Sequence, residues 1–91
     1  MLPIQWTEEA KTDLFTLISF IALENPYAAE SLLQQIDAAI LPAAEHPYMF
    51  RAGRVDGTRE VIAHPNYIVV YQVRNECIRV ISVLHSRQQY P

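Results

Sequence analysis

The sequence has a single cysteine, Cys77, among its 91 residues. One thiol excludes an internal disulfide framework and predicts a protein of the reducing cytosol. The three histidines, His46, His64 and His85, are scattered and show no metal-ligand spacing with Cys77. We therefore expect no metal ion and no other cofactor, and we interpret Cys77 as a small apolar residue at the start of a strand.

Long apolar runs are also absent. The longest candidate, LFTLISFIAL, falls short of the roughly 18 apolar residues that a membrane span needs, and it lies inside a helical pattern. No basic segment followed by an apolar stretch and a cleavage site indicates a signal peptide. These absences predict a cytoplasmic protein without membrane contact. The apolar fraction of 51% suits a globular fold, and the length suits one domain over residues 1–91.

Lysine is nearly absent, and the charge differs between the two halves of the chain. Residues 1–45 contain seven acidic residues and one base, a net charge of −6, whereas residues 46–91 contain six arginines and three acidic residues, a net charge of +3. The overall charge of −3 disfavours a general nucleic-acid binder, because nonspecific affinity comes mostly from phosphate neutralisation. The arginine-rich half predicts a surface that faces an anion or an acidic partner.

The first half of the chain has the pattern of two amphipathic helices. Thr7 is a good N-cap, and apolar residues at helical spacing continue to about Glu24. Asn25 and Pro26 then end this helix and begin a second one, which Pro42 ends or kinks. Because the connection is so short, the two helices should form an antiparallel hairpin.

Strand-like alternation appears in four segments, residues 2–6, 58–63, 67–73 and 77–84. The segment YMFRAGRVDG, which contains both glycines, is predicted to be a loop. The turns His64-Pro65-Asn66 and Arg74-Asn75-Glu76 are short, so the last three strands should form an antiparallel meander. The sequence therefore predicts an α+β fold in the order β-α-α-β-β-β, with the helix hairpin packed on one face of a small antiparallel sheet.

Alternation along the last strand assigns its side chains to two faces. One face receives Ile78, Val80, Ser82 and Leu84, and the other receives Arg79, Ile81, Val83 and His85. The face away from the helices should stay partly open and concave, and on it Arg59, Tyr71 and Arg79 or Arg87 could form a basic, aromatic-lined groove. Two alternatives remain, a cross-strand ion pair of Arg59 and packing of Tyr71 within the sheet.

The ending VISVLHSRQQYP brings His85, Arg87 and Tyr90 within six positions. Metal-free cleavage of RNA needs a base, an acid and a cation, and these three side chains could supply them. Chain ends fray unless they are tied down, which weakens a catalytic assignment for Tyr90. We therefore interpret the ending as a recognition tail, with catalysis as the alternative.

Three motifs in register give the sequence a resemblance to a known family. They are Gly57-Thr58-Arg59-Glu60, His64-Pro65-Asn66-Tyr67 and the ending His85-Ser86-Arg87-Gln88-Gln89-Tyr90-Pro91. Together with the opening IQWTEEAKTDL and the predicted element order, they resemble the RelE/ParE superfamily of toxins from type II toxin–antitoxin modules. The resemblance covers essentially the whole chain and is closer to the ParE branch than to the RelE branch.

The resemblance implies a toxin that traps DNA gyrase on cleaved DNA, blocks replication, arrests growth and has no catalytic activity of its own. RelE-like relatives instead cleave mRNA on the ribosome, which leaves an endoribonuclease as the alternative. Its catalytic candidates here are Arg59, His85, Arg87 and Tyr90. The acidic charge favours gyrase, because a protein that docks into ribosomal RNA should be strongly basic.

The resemblance also implies a cognate antitoxin, ParD-like or other, that folds on binding and serves plasmid maintenance. It would cover the open sheet face and the apolar last strand VISVL, because exposed edges and apolar patches are liabilities. The complex could be of higher order and bind operator DNA through the antitoxin. The candidate residues for binding the target or the antitoxin are Arg59, Tyr71, Arg79, His85, Arg87 and Tyr90.

Overall fold

The computed structural model describes residues 1–88, whose elements follow the predicted order with one added strand. The helices are α1 (Glu8–Ala22) and α2 (Pro26–Ile40), and a short 3-10 helix (Leu41–Ala44) follows α2. The strands are β1 (Ile4–Trp6), β2 (Arg51–Ala52), β3 (Thr58–His64), β4 (Tyr67–Val73) and β5 (Ile78–His85). The α+β class and the helix hairpin are confirmed.

Both helices begin at the predicted caps. The Thr7 hydroxyl oxygen accepts a hydrogen bond from the Ala10 N–H at 3.1 Å, and the Asn25 side-chain oxygen accepts one from the Ala28 N–H at 3.0 Å. Each cap satisfies a backbone donor that the first turn of a helix leaves without a partner. Pro26 fills the first position of α2, where its missing N–H costs nothing. Within residues 1–88, no helix is long and apolar enough to cross a membrane.

The five strands form one sheet in the order β1-β5-β4-β3-β2. Strands β2 to β5 pair antiparallel, as the predicted meander requires, and β1 adds to β5 in parallel through Ile4 opposite Ile78. Within VISVL only Val80 pairs with β1, opposite Trp6, so among residues 1–88 no strand adjoins residues 81–84 on that side. The expectation that an antitoxin covers this strand stays a prediction. Arg51 and Ala52 pair with β3, which corrects the loop prediction for this segment; two residues are too few to show alternation.

The helix hairpin packs on one face of the sheet and forms the main core with it. Ile36 of α2 is completely buried, as are Val69 and Tyr71 of β4 and Ile78 and Val80 of β5. Burial of such side chains contributes about 1.5–3 kcal/mol each relative to exposure. The apolar stripes predicted on the two helices therefore face the sheet.

A β-bulge in β5 changes which side chains share a face. Tyr71 pairs with Val80 and Val70 pairs with Ser82, so Ile81 has no partner in the ladder. The extra residue reverses the alternation beyond it. Val83 therefore joins the main core, while Leu84 packs on the opposite face, and the predicted grouping of Leu84 with Ile78 and Val80 is wrong.

The face opposite the helices has a small apolar cluster of its own. Ile68, Val70 and Leu84 are at most 5% exposed, and Ile81 packs against them. The prediction of an open concave face is therefore wrong at its centre. The margins remain accessible, where Ile62 is 57% exposed and the Arg79 side chain also reaches solvent.

Candidate functional site

The Tyr71 side chain lies in the main core and anchors the segment that leads into β2. It is fully buried, and its hydroxyl donates a hydrogen bond to the Pro47 carbonyl oxygen at 2.6 Å. The Phe50 ring meets the Tyr71 ring edge-on, with centroids 6.3 Å apart. Burial raises the pKa of Tyr71, and the positive charge of Arg59 opposes this shift. Of the two readings of Tyr71, packing within the sheet is the one that the structure supports.

Arg59 lies opposite Tyr71 in the register of β3 and β4 and holds the same segment. One guanidinium nitrogen, Nη1, donates hydrogen bonds to the carbonyl oxygens of Phe50 at 2.7 Å and Tyr48 at 3.2 Å. The guanidinium also lies over the Tyr48 ring, 4.9 Å from its centroid. These contacts differ from the cross-strand ion pair that was one alternative for Arg59. The nearby carboxylate of Glu60 binds Arg51 instead, at 2.9 Å.

Arg79 does not join Arg59 and Tyr71. It projects from the face opposite the helices, because its neighbour Val80 pairs with Tyr71 on the helix side. In the register it lies between Gln5 of β1 and Gln72 of β4. Within residues 1–88 it forms no ion pair, and it is exposed. The predicted groove of Arg59, Tyr71 and Arg79 is therefore wrong, because the sheet separates them.

His85 is part of an aromatic cluster at the other end of the strands. Its ring centroid lies 5.4 Å from that of Tyr67 on β4, and the ring centroid of His64 on β3 lies 5.5 Å from the same Tyr67 ring. The His85 Nδ1 accepts a hydrogen bond from the Arg87 N–H, and the His64 Nδ1 accepts one from the Asn66 N–H. With Nδ1 as acceptor, each neutral imidazole carries its proton on Nε2. Sequence reasoning treated His64 as a turn residue and missed this cluster.

The structure describes the end of the chain as far as Gln88. The Arg87 backbone contacts His85, and its side chain is exposed. The Gln88 carbonyl oxygen accepts a hydrogen bond from Arg54 at 3.0 Å, which ties the segment after β5 to the β2–β3 connection. Tyr90 lies outside the described residues. Among residues 1–88, no group of His, Cys, Asp and Glu could hold a metal ion.

An apolar groove is formed by residues of both helices and by Trp6 of β1, where sequence reasoning placed no site. Its volume is about 490 Å³, and it is lined by Trp6, Leu14, Phe15, Ile18, Ala22 and Leu33, with Lys11, Ser19 and Asp37 among the polar side chains. Phe15 is 73% exposed although it borders this groove. An exposed aromatic side chain beside an apolar depression is typical of a surface that binds another protein.

Comparison with known proteins gives one family and several similar structures. The family of the ParE toxin of the type II toxin–antitoxin system parDE matches residues 4–90. A protein of Sinorhizobium fredii (strain NBRC 101917 / NGR234), named "Putative toxin Y4kP", is 34% identical over 89 residues, which cover 97% of this chain and 92% of that protein.

Two solved structures show how far the fold is shared. The chromosomal ParDE system of P. aeruginosa superposes with a TM-score of 0.82 at 19% identity, covering 93% of this chain and 96% of that chain. The DinJ–YafQ toxin–antitoxin complex of E. coli superposes with a TM-score of 0.59 at 10% identity, covering 92% of this chain and 91% of that chain. At these identities the similarity establishes the fold.

Proposed function

Because the chain belongs to the ParE toxin family of type II toxin–antitoxin systems, we propose that it poisons DNA gyrase. In this proposal it binds the enzyme in the cytoplasm, traps the complex with cleaved DNA, blocks replication and arrests growth. The toxin supplies binding surfaces and performs no catalysis itself. A cognate antitoxin neutralises it.

The observation that carries this proposal over RNA cleavage is the separation of the candidate catalytic groups. Arg59 pairs with Tyr71, whereas His85 pairs with Tyr67, four residues away along β4. Four residues of a strand span roughly 13 Å, while acid–base catalysis needs groups within about 3 Å of the same reacting atoms. The Arg59 guanidinium is also engaged by two carbonyl oxygens. It therefore stabilises a loop, and a phosphate would have to compete with those contacts.

The charge of the helix hairpin supports the same choice. Residues 8–40 contain six acidic residues and one base, and both helices lie on the outside of the molecule. Such a surface would be repelled by ribosomal RNA, whose phosphates dominate its field. A protein target is not subject to this penalty.

The apolar groove on the hairpin supports binding of an antitoxin helix. Its lining is almost entirely apolar, Phe15 extends it toward solvent, and Asp37 lies at its margin. An amphipathic helix buries an apolar stripe in such a groove. The acidic surroundings favour a helix with Lys or Arg beside that stripe. Contacts of the exposed Arg79 and Arg87 with antitoxin carboxylates, and operator binding through the antitoxin, stay predictions.

The direct test is a supercoiling reaction with purified gyrase and the purified chain. We expect linear plasmid after addition of denaturant and protease, and none when the cognate antitoxin is added first. The heat-unfolded chain is the control for nonspecific inhibition. If the chain arrests growth in cells but produces no linear plasmid in the purified reaction, gyrase is excluded as the target.

One observation favours a second candidate, a ribosome-dependent endoribonuclease. The rings of His64 and His85 flank the Tyr67 ring, with centroids 5.5 Å and 5.4 Å away, which brings two imidazoles near one phenol. If this cluster or the tail cleaves mRNA, His85→Gln, Arg87→Ala and Tyr90→Ala should each lower cleavage in a translating extract by orders of magnitude. If these residues only bind a partner, each substitution should cost about 1–3 kcal/mol of affinity.

A further inference from the structure

The segment from His46 to Phe50, here called the 46–50 loop, is held by side chains of the sheet. Tyr71 binds its Pro47 carbonyl oxygen, and Arg59 binds the carbonyl oxygens of Tyr48 and Phe50. Within the loop, the Met49 N–H donates to the His46 carbonyl oxygen at 3.1 Å. Four hydrogen bonds over five residues leave the backbone little freedom.

The same loop exposes two large side chains. Tyr48 is 67% exposed and Met49 is 57% exposed, although the backbone that carries them is fixed. Arg59 covers one face of the Tyr48 ring at 4.9 Å and limits its rotation. The hydrogen bonds to the loop fix the backbone that carries these two side chains, and the contact with Arg59 orients Tyr48. A fixed backbone lowers the entropy lost when the side chains become buried in a partner.

We propose that the 46–50 loop is the element by which the toxin recognises its target, with Tyr48 and Met49 as the contact residues. Arg59 and Tyr71 are positioning residues in this assignment, because they act through the loop backbone. The inference rests on the proposed toxic function and names the surface that carries it. It also gives Arg59 a role other than catalysis.

The partner that fits this loop is a folded protein with an apolar depression and carboxylates at its margin. Tyr is enriched at the centres of protein interfaces, and Met adapts to irregular apolar surfaces. The positive charge of Arg59, whose guanidinium lies over the Tyr48 ring, favours an acidic margin on the partner. The loop shares no lining residue with the apolar groove of the helix hairpin. Target and antitoxin therefore have separate primary surfaces.

The first test compares growth arrest by Tyr48→Ser and Met49→Ser with that of wild type at matched protein levels. We expect each substitution to raise the toxin level needed for arrest about tenfold or more, as loss of a central interface side chain does. Tyr48→Phe and Met49→Leu should restore most of this loss. Tyr27→Ser is the matched control, because Tyr27 is 86% exposed and lies at the start of α2. Its effect should stay within about twofold, as for an exposed residue outside the interface.

A double-mutant cycle tests the positioning role of Arg59. Arg59→Ala should weaken arrest in the wild-type background and have little further effect in the Tyr48→Ser/Met49→Ser background. Additive effects would instead mean that Arg59 itself touches the target, and they would overturn its positioning role. Unfolding in urea checks that each variant remains folded.

Several outcomes would overturn the inference, and they are distinguishable from failure of the gyrase proposal. Arrest by Tyr48→Ser at wild-type levels would overturn the loop assignment alone. Loss of antitoxin binding together with arrest, in a folded variant, would overturn the separation of the two surfaces. Absence of arrest by wild type would remove both the toxic function and the loop assignment. If wild type arrests growth but produces no linear plasmid, gyrase is excluded as the target. The loop assignment would still be tested by the effect of the loop substitutions on growth arrest.

Discussion

The carboxylate of Asp13 accepts a hydrogen bond from the backbone N–H of Val83 at 3.1 Å, joining α1 to β5 across 70 positions of the sequence. The same carboxylate oxygen accepts one from the Ser82 hydroxyl at 3.0 Å. Both donors lie beside the β-bulge, where the ladder between β4 and β5 is interrupted. Asp13 thus provides a partner for the Val83 N–H beyond Val80, where β1 no longer pairs with β5, and fixes α1 over this part of the sheet.

Asp13→Ala should destabilise the fold by about 2 kcal/mol, because it removes hydrogen bonds to a charged acceptor and leaves a backbone donor without a partner. Urea unfolding followed by circular dichroism measures the change. Ser82→Ala removes one of the two contacts and should cost about 1 kcal/mol. An unchanged urea midpoint for Asp13→Ala would mean that water replaces the carboxylate without loss.

The fold could be predicted from sequence wherever local chemistry decides it. Thr7 and Asn25 are caps by residue type, and Pro26 suits the first helical position. The turns at His64-Pro65-Asn66 and Arg74-Asn75-Glu76 are short enough to require antiparallel pairing. These features depend on neighbours within a few residues, and they are also the features that the structure confirms.

The site could not be predicted in the same way, because its geometry depends on pairing between strands. The bulge at Ile81 leaves no signal in a continuous apolar run, yet it moves Val83 and Leu84 to opposite faces. The pairing of Tyr71 with Val80 places this tyrosine in the helix-side core, away from Arg79. Sequence spacing placed Arg59, Tyr71 and Arg79 on strands correctly, but it did not determine the face each one occupies.

Tyr71 should make stability depend on pH in the alkaline range. Its pKa is raised in the folded state, chiefly by burial, so the folded protein keeps this proton at pH values where the unfolded chain releases it. The contribution of the protonated phenol is complete below about pH 10, where an unperturbed tyrosine titrates, and it is lost as pH rises through the folded-state pKa. Stability should therefore fall as pH rises from about 10 to the folded-state pKa of Tyr71.

Tyr71→Phe separates this effect from other alkaline titrations. Near pH 7 the variant should be less stable than wild type by about 1 kcal/mol, because the hydrogen bond to Pro47 is lost. The difference should shrink as pH rises above about 10, since only wild type has this proton to lose. Urea midpoints of both proteins from pH 7 upward check this, and a constant difference would contradict the shift.

Gly53 is required by a close contact with β3. A Cβ at this position would overlap the Thr58 hydroxyl oxygen, which donates a hydrogen bond to the Val55 carbonyl oxygen at 2.6 Å. We expect Gly53→Ala to cost about 1–3 kcal/mol, as overpacking does. Gly57→Ala is the comparison, because Gly57 has a positive φ of 83° and open space around it. Backbone strain there should cost about 1–2 kcal/mol.

Thr58→Ala distinguishes the two causes. If overlap with the hydroxyl destabilises Gly53→Ala, the same substitution should cost less when Thr58 is already alanine. The cost of Gly57→Ala should not depend on Thr58 in this way, since no side chain lies near its Cβ position. Thermal unfolding measures the cost of Gly53→Ala in both backgrounds. Equal costs would show that overlap with the Thr58 hydroxyl is not the cause of the destabilisation.

Phe15 and Phe20 provide a matched pair for the antitoxin groove. They lie five positions apart on α1 and are 73% and 74% exposed, but only Phe15 lines the groove. Phe15→Ser should weaken binding of the cognate antitoxin about tenfold or more, because it removes an aromatic contact from the interface. Phe20→Ser should leave binding within about twofold, as for an exposed residue outside an interface. Calorimetric titration measures both, and equal losses would place the antitoxin elsewhere.

The charge of the antitoxin helix can be tested in the same titrations. Asp37 lines the groove, whereas Glu24 lies outside its lining, in the connection between the two helices. If the helix carries Lys or Arg beside its apolar stripe, Asp37→Lys should weaken binding, and the loss should be largest at low salt, where charges are least screened. Glu24→Lys changes the net charge equally and should have a smaller effect. Tighter binding by Asp37→Lys would reverse the sign of the proposed charge and assign the groove an acidic partner helix.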